Sequence, residues 1–228
     1  MSVPPKTVGK LWMYTAHSRW TRLQAVARAS NVVFDHQKEP GMREAMSDKA
    51  FLAKFPMGMF PAFESADGKV KITECSAICD YIACLTPESG LMPTDPALAA
   101  QVRSWLLVCE AEIIAPLTVV NRAILNIVPY DEAMLNGIFE ALHRRLASLN
   151  TYFSSHRYLV NDQFTLADLT MISVLAHGYA KFFDKEWQDK YPSVLEWFDK
   201  TRKEPKLGGL YDEVSMNEKA PVDKPKSG

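Results

Sequence analysis

Strand-like alternation of apolar and polar residues is confined to the part of this chain before residue 86, and beyond residue 96 the apolar residues recur only at helical spacing. Between the two, Thr86 to Pro96 holds three prolines and a glycine, the composition of a linker. The 228 residues therefore divide into an α/β domain expected over 8–86 and an all-α domain expected over 97–212. The polar segment 213–228 has too little apolar surface to offset its ordering entropy, and is expected to be a disordered tail.

In the first unit, Lys10-Leu11-Trp12-Met13-Tyr14 predicts a strand, Ser18 to Ser30 a helix with Leu23, Val26 and Ala27 inward, and Val32-Val33-Phe34 a second strand. Asp48 to Phe55 predicts a short helix. Pro61-Ala62-Phe63-Glu64, the Asp67-Gly68 turn and Val70 to Thr73 form a hairpin by their turn chemistry, and Glu74 to Leu85 closes the unit as a helix. The order β-α-β-α-β-β-α is thioredoxin-like, without the redox pair of thioredoxin. In the second unit, Asp95-Pro96 supplies an N-cap and a proline at the first helical position, and Leu98, Val102, Trp105, Cys109 and Ile113 mark one face. Further helices are predicted over Asp131 to Phe153, Thr165 to Phe183 and Pro192 to Lys203, with Thr165-x-x-Asp168 a capping box.

Twenty-six basic against 27 acidic side chains, a net charge of −1, give no field for phosphate, so nucleic acid is not an expected partner. The longest apolar runs fall well short of the roughly 20 residues that span a bilayer, and Met1 to Lys10 lacks an apolar stretch of signal-peptide length. A cytoplasmic protein without membrane contact is expected. Cys75, Cys79, Cys84 and Cys109 form no C-x-x-C pair, and are expected as reduced thiols with no structural metal.

The richest segment is Phe55 to Phe63. Pro61 cannot donate to a sheet ladder yet opens a strand, and the Phe60–Pro61 bond is a candidate for the cis isomer, which would turn the Phe60 N–H and C=O toward a peptide-like ligand. Glu74-Cys75-Ser76 then starts a helix whose N–H groups favour a carboxylate, while Glu74 can pair with an ammonium. Together they suit the charged amino-acid end of a tripeptide.

Phe51 to Glu64, Arg157 to Val160 with Thr165 to Asp168, and Tyr191-Pro192 with Trp197-Phe198 and Pro205 resemble the glutathione transferase superfamily, specifically the glutathione-transferase-like domain of translation elongation factor 1 gamma. The resemblance covers residues 10 to 212. It implies a thioredoxin-like glutathione-binding domain, a helical domain supplying a second-substrate pocket, and a homodimer. Carried over by position, Phe60 beside Pro61 would pair its backbone with the cysteinyl part of glutathione, and Glu74 with Cys75 would hold the γ-glutamyl end. Cys75 stands where many transferases have Ser, and Met59 where this family commonly has Lys, a ligand for the glycine carboxylate.

A glutathione thiolate needs a donor near the first strand and helix, because a hydrogen bond to the charged form lowers a thiol's pKa. Ser18 is the first candidate and Tyr14 the second, with Thr15, His17 and Arg19 nearby. Ser18 can equally be only a helix cap, Tyr14 a core residue and His17 a solvated loop residue. Trp105, Cys109 and His17 are candidates for the substrate pocket, as are Phe182, Phe183 and Trp187, although the aromatic residues can equally be interhelical core. Arg103 and Glu110, on one helix face, reach that pocket, the dimer cleft or solvent.

Two functions follow as expectations. The first is a transferase adding the glutathione thiolate to a small apolar electrophilic or unsaturated substrate, including reversible addition with cis/trans isomerisation in a biosynthetic, secondary-metabolism role. The second is a non-catalytic module of the translation elongation complex. That factor continues past this domain with a Lys-rich linker and a second folded domain, and the chain ends at Gly228, so the enzyme is the expectation.

Overall fold

In the computed structural model, which describes residues 4–15, 18–37, 42–45 and 47–219, the first domain consists of β1 (Lys6–Trp12), α1 (Ser18–Ala29), β2 (Val32–Gln37), α2 (Met42–Ala45), α3 (Lys49–Lys54), β3 (Ala62–Ser65), β4 (Lys71–Thr73) and α4 (Cys75–Leu85). The sheet order is β2-β1-β3-β4. β1 runs parallel to β2 and antiparallel to β3, and β3 antiparallel to β4, the expected thioredoxin-like pattern. β1 begins four residues earlier than predicted, because its register slips between Thr7 and Gly9 and hides the period of two. Gly9 is required there: a Cβ on it would lie 2.2 Å from the Glu64 carbonyl oxygen of β3.

Leu11, Leu23, Val26, Phe63, Ile78 and Ile82 are fully buried and join the sheet to α1 and α4. A separate cluster of Ala45, Phe51, Phe55 and Ala62, with Trp12 and Phe60 against it, fixes α3. Asp48 starts that helix by accepting from the Ala50 and Phe51 N–H groups.

The second domain holds α5 (Pro96–Val108), a π-helical turn (Cys109–Ile114), α6 (Ala115–Ile124), α7 (Glu132–Phe153), α8 (Leu166–Lys181), α9 (Lys185–Lys190) and α10 (Pro192–Thr201). Asp95 and Asp131 cap α5 and α7. The continuous helix Pro96–Ile124 is by length and composition able to cross a membrane, a length that the short apolar runs of the sequence do not suggest. Here Val102, Leu106, Cys109 and Ile113 are buried in the core, while Arg103, Glu110 and Glu112 lie along the same helix.

α8 is the central helix, and the capping box at its start is formed as predicted. Asp168 accepts from the Leu159 N–H at 2.8 Å, the Thr165 N–H at 2.9 Å and the Thr165 hydroxyl at 3.1 Å. Burial pushes its carboxyl up to about 6 although these donors pull it down.

Residues 213–219 differ from the disordered tail expected there. Val214 and Met216 pack against the core, and the Asn217 N–H donates to the Tyr179 carbonyl at 2.9 Å. Gln188 Nε2 donates to the Asn217 carbonyl at 3.0 Å, and Asn217 Nδ2 to the Lys181 carbonyl at 3.2 Å. Three hydrogen bonds and two apolar side chains offset the ordering entropy. The rest of the expected tail, 220–228, lies outside the described residues.

Candidate active site

The Phe60–Pro61 bond is cis, as anticipated. Phe60 is half-buried, its ring edge-on to Tyr14 with centroids 5.3 Å apart and tilted against Phe51 at 5.4 Å. Tyr14, Phe60 and Pro61 are thus brought together at one rim of the first domain. Met59 projects from the same loop, half exposed.

β4 passes directly into α4 through Glu74, whose φ of 74° lies in the left-handed region that favours glycine. Its side chain is exposed beside the free N–H groups that begin α4. Strain of this kind clusters where a ligand is held. The Cys75 thiol departs from expectation: it is 1% exposed, with Sγ 3.8 Å from the Arg19 carbonyl oxygen. It faces the core toward Cys79, whose own thiol is pushed well up by their hydrogen bond and by burial. Cys75 therefore offers a ligand its backbone N–H and not its side chain, because the first turn of α4 directs that side chain inward.

A cleft of about 480 Å³ opens between the domains. Thr15, Ser18 and Arg19 line it from the first domain, and Thr118 and Asn121 from α6. α8 contributes Ser173, His177 and Lys181, and the segment through Tyr211 and Glu213 borders it. Ser18 is half-buried in this wall.

Trp105 and Cys109 do not line the cleft. Trp105 leans on Tyr152 of α7 with centroids 5.5 Å apart, and Cys109 is fully buried where α5 enters the π-helical turn, its thiol pushed up to about 12 by burial. Phe182, Phe183 and Trp187 are likewise core. Their apolar spacing was that of a helix interior, which periodicity does not distinguish from a pocket wall. His17 lies outside the described residues.

Behind the cleft, Arg22 of α1 is 2% exposed. Its Nε donates to Ser173 Oγ of α8 at 2.7 Å, and one terminal nitrogen donates to Glu110 at 2.5 Å and to Ser76 Oγ of α4 at 3.3 Å. Ser76 also donates to Glu110 at 2.9 Å, and Arg19 lies 3.7 Å from the other Glu110 oxygen. Burial favours the protonated Glu110, but the charge of Arg22 and the hydrogen bonds from Arg22 and Ser76 outweigh it and hold the carboxyl below its ordinary value. Arg103, seven residues earlier, forks onto Asp80 of α4 at 3.1 and 3.2 Å. The helix face carrying Arg103 and Glu110 is thus spent on α4. Arg22 and Ser173, 151 positions apart, went unnoticed in the sequence, where an arginine amid Thr21 and Leu23 carries no signal beyond its place on a helix's inner face.

The N-terminal-domain profile of the glutathione S-transferases matches residues 7–84, and their C-terminal-domain profile matches residues 105–205. The chain belongs to the glutathione S-transferase family. Among its relatives, a glutathione S-transferase-like protein of Aspergillus aculeatus is 28% identical over 80% of this chain and 86% of its own. Elongation factor 1-gamma of Danio rerio is 27% identical over 92% of this chain, which spans 47% of that protein. Of solved glutathione S-transferases, isoenzyme I bound with lactoylglutathione superposes with a TM-score of 0.75 at 23% identity, covering 90% of this chain and 99% of that one. The glutathione S-transferase fold is the architecture described above.

Proposed function

We propose that this chain is a glutathione transferase that holds glutathione along the rim of the first domain and adds its thiol to an electrophilic or unsaturated substrate in the cleft. The observation that carries the reading is Ser18, half-buried in the cleft wall at the start of α1. A hydroxyl there donates to the glutathione sulfur and favours the thiolate. Tyr14, against Phe60, is the second donor. The Phe60 backbone beside Pro61 takes the cysteinyl part, the N–H groups that begin α4 take the γ-glutamyl carboxylate, and Glu74 takes its ammonium. The solved relative bound with lactoylglutathione supports glutathione as cosubstrate. Met59 supplies no cation for the glycine carboxylate, so affinity rests on the γ-glutamyl end.

Once both substrates are held, proximity and thiolate formation do the chemistry. A carbon–sulfur bond forms as the substrate's leaving group departs or its unsaturated bond opens. Where that addition reverses after rotation, the outcome is a cis/trans isomerisation, a reaction suited to biosynthesis. Calorimetry with glutathione tests the reading. Binding at millimolar concentration is expected, weakened in Glu74→Ala, with conjugation reduced in Ser18→Ala and to a lesser degree in Tyr14→Phe. No heat of binding at millimolar glutathione would sink it.

Leu85 and Leu107 are exposed near the Arg103–Asp80 pair, and we read this face as the contact of a homodimer, measurable by light scattering. Four unpaired thiols suit a reducing cytoplasm. The elongation factor 1-gamma relatives favour a second reading, an interaction module of the translation elongation complex. Recovery of the complex's exchange-factor subunit on immobilised protein, with no glutathione binding, is the result that would select it.

A further inference from the structure

The cleft has an apolar lining of Ile114, Ala176, Ala180, Leu210 and Val214. Ser18, Thr118, Asn121 and Ser173 put hydroxyl and amide groups on its walls. Of these, the Ser173 and Thr118 hydroxyls donate to the Thr170 and Ile114 carbonyls. Two cations border the same space. Arg19, from α1, lies 3.7 Å from Glu110, an ion pair longer than a hydrogen bond, while Arg22 holds that carboxylate at 2.5 Å. Lys181, exposed at the end of α8, enters from the opposite domain, its backbone held by Asn217. Against them, the acidic side chain in the lining is Glu213.

We propose that the second substrate is itself an acid: a small electrophile whose carboxylate sits between Arg19 and Lys181, with its reactive carbon toward Ser18. A guanidinium and an ammonium recognise a carboxylate through charge-assisted hydrogen bonds that a neutral ester cannot match. For an unsaturated keto acid the step is addition. The glutathione sulfur forms a bond to the carbon β to the ketone, the carbon–carbon π bond opens, and the neighbouring carbon takes the proton that the thiol gave up. This inference rests on the transferase reading of the same cleft, and adds an anionic group to the expected apolar substrate.

The test pairs trans-3-benzoylacrylate with its methyl ester as substrates, and the saturated, unreactive 3-benzoylpropanoate with its methyl ester as ligands in calorimetry, each with glutathione present. Wild type is expected to favour the acid over the ester by about tenfold in both kcat/KM and affinity, the difference that one good charge-assisted contact supports. Arg19→Gln and Lys181→Gln should each reduce that ratio to about threefold or less, and rising salt should erode it in wild type. Lys181→Gln, on the surface, guards against a folding defect in the Arg19 variant. Glutathione binding with equal or weaker affinity for the acid would overturn the inference and leave the transferase reading standing. Absence of glutathione binding would overturn both.

Discussion

Arg22 and Ser173 meet at 2.7 Å across the boundary between the two domains. The same guanidinium holds Glu110 and Ser76, so one buried side chain sets the spacing of α1, α4 and α8 on which the cleft depends. Removing it in Arg22→Met leaves Glu110 and Ser173 short of their donors. Such a loss costs about 3 kcal/mol, to be read from urea unfolding. Arg22→Lys should recover less than half of it, since an ammonium lacks the guanidinium fork.

Glu110 gives that network a pH dependence of defined sign. Its folded pKa lies below the ordinary 4.5, so the ionised form is the one stabilised by folding. The contribution is fully present above the unfolded value and is lost as pH falls through the folded one. The stability difference between wild type and Glu110→Gln should therefore be constant near neutrality and shrink below about pH 4. Denaturant titrations across that range measure it, and an undiminished difference at about pH 3 would contradict the assignment.

The cysteines should separate by burial. Cys84 is exposed, whereas Cys75, Cys79 and Cys109 are buried. A thiol reagent at neutral pH is expected to modify Cys84 in the native protein and the other three only on unfolding, because a buried thiol is not reached. Rapid reaction of all four in the native protein would refute the packing around Arg22.

Glu74 offers a trade of stability against binding. Its φ of 74° suits glycine, so Glu74→Gly should raise stability by about 1 kcal/mol through relief of backbone strain. The same change removes the carboxylate from the proposed γ-glutamyl site and, on that proposal, should weaken glutathione affinity. Thermal unfolding and calorimetry on the one variant read both effects.

Much of the fold was visible in the sequence because its signals are local. Asp48, Asp95, Asp131 and Thr165 each cap the helix that their positions announced, and Pro61 marked its own strand start. α9 and the early start of β1 were missed. Lys185–Lys190 is a short, mostly charged run without apolar periodicity, and the register slip near Gly9 breaks the alternation. At the candidate site, the places of Phe60 before a cis proline, Glu74 before α4 and Ser18 at the start of α1 were readable from local sequence. The inward turn of Cys75 and the meeting of Arg22 with Ser173 were not, since they depend on how distant helices face one another.

Each residue of a helix advances about 100° around its axis, and a π-helical turn is the trace of one residue too many. The turn at Cys109–Ile114 therefore sets which side of α6 looks into the cleft. Deleting one residue there would swing Thr118 and Asn121 away from it and bring their neighbours forward, while Arg103 on α5 stayed with Asp80. Evolution can re-index the wall that α6 gives the cleft by a single codon and leave the rim of the first domain as it is.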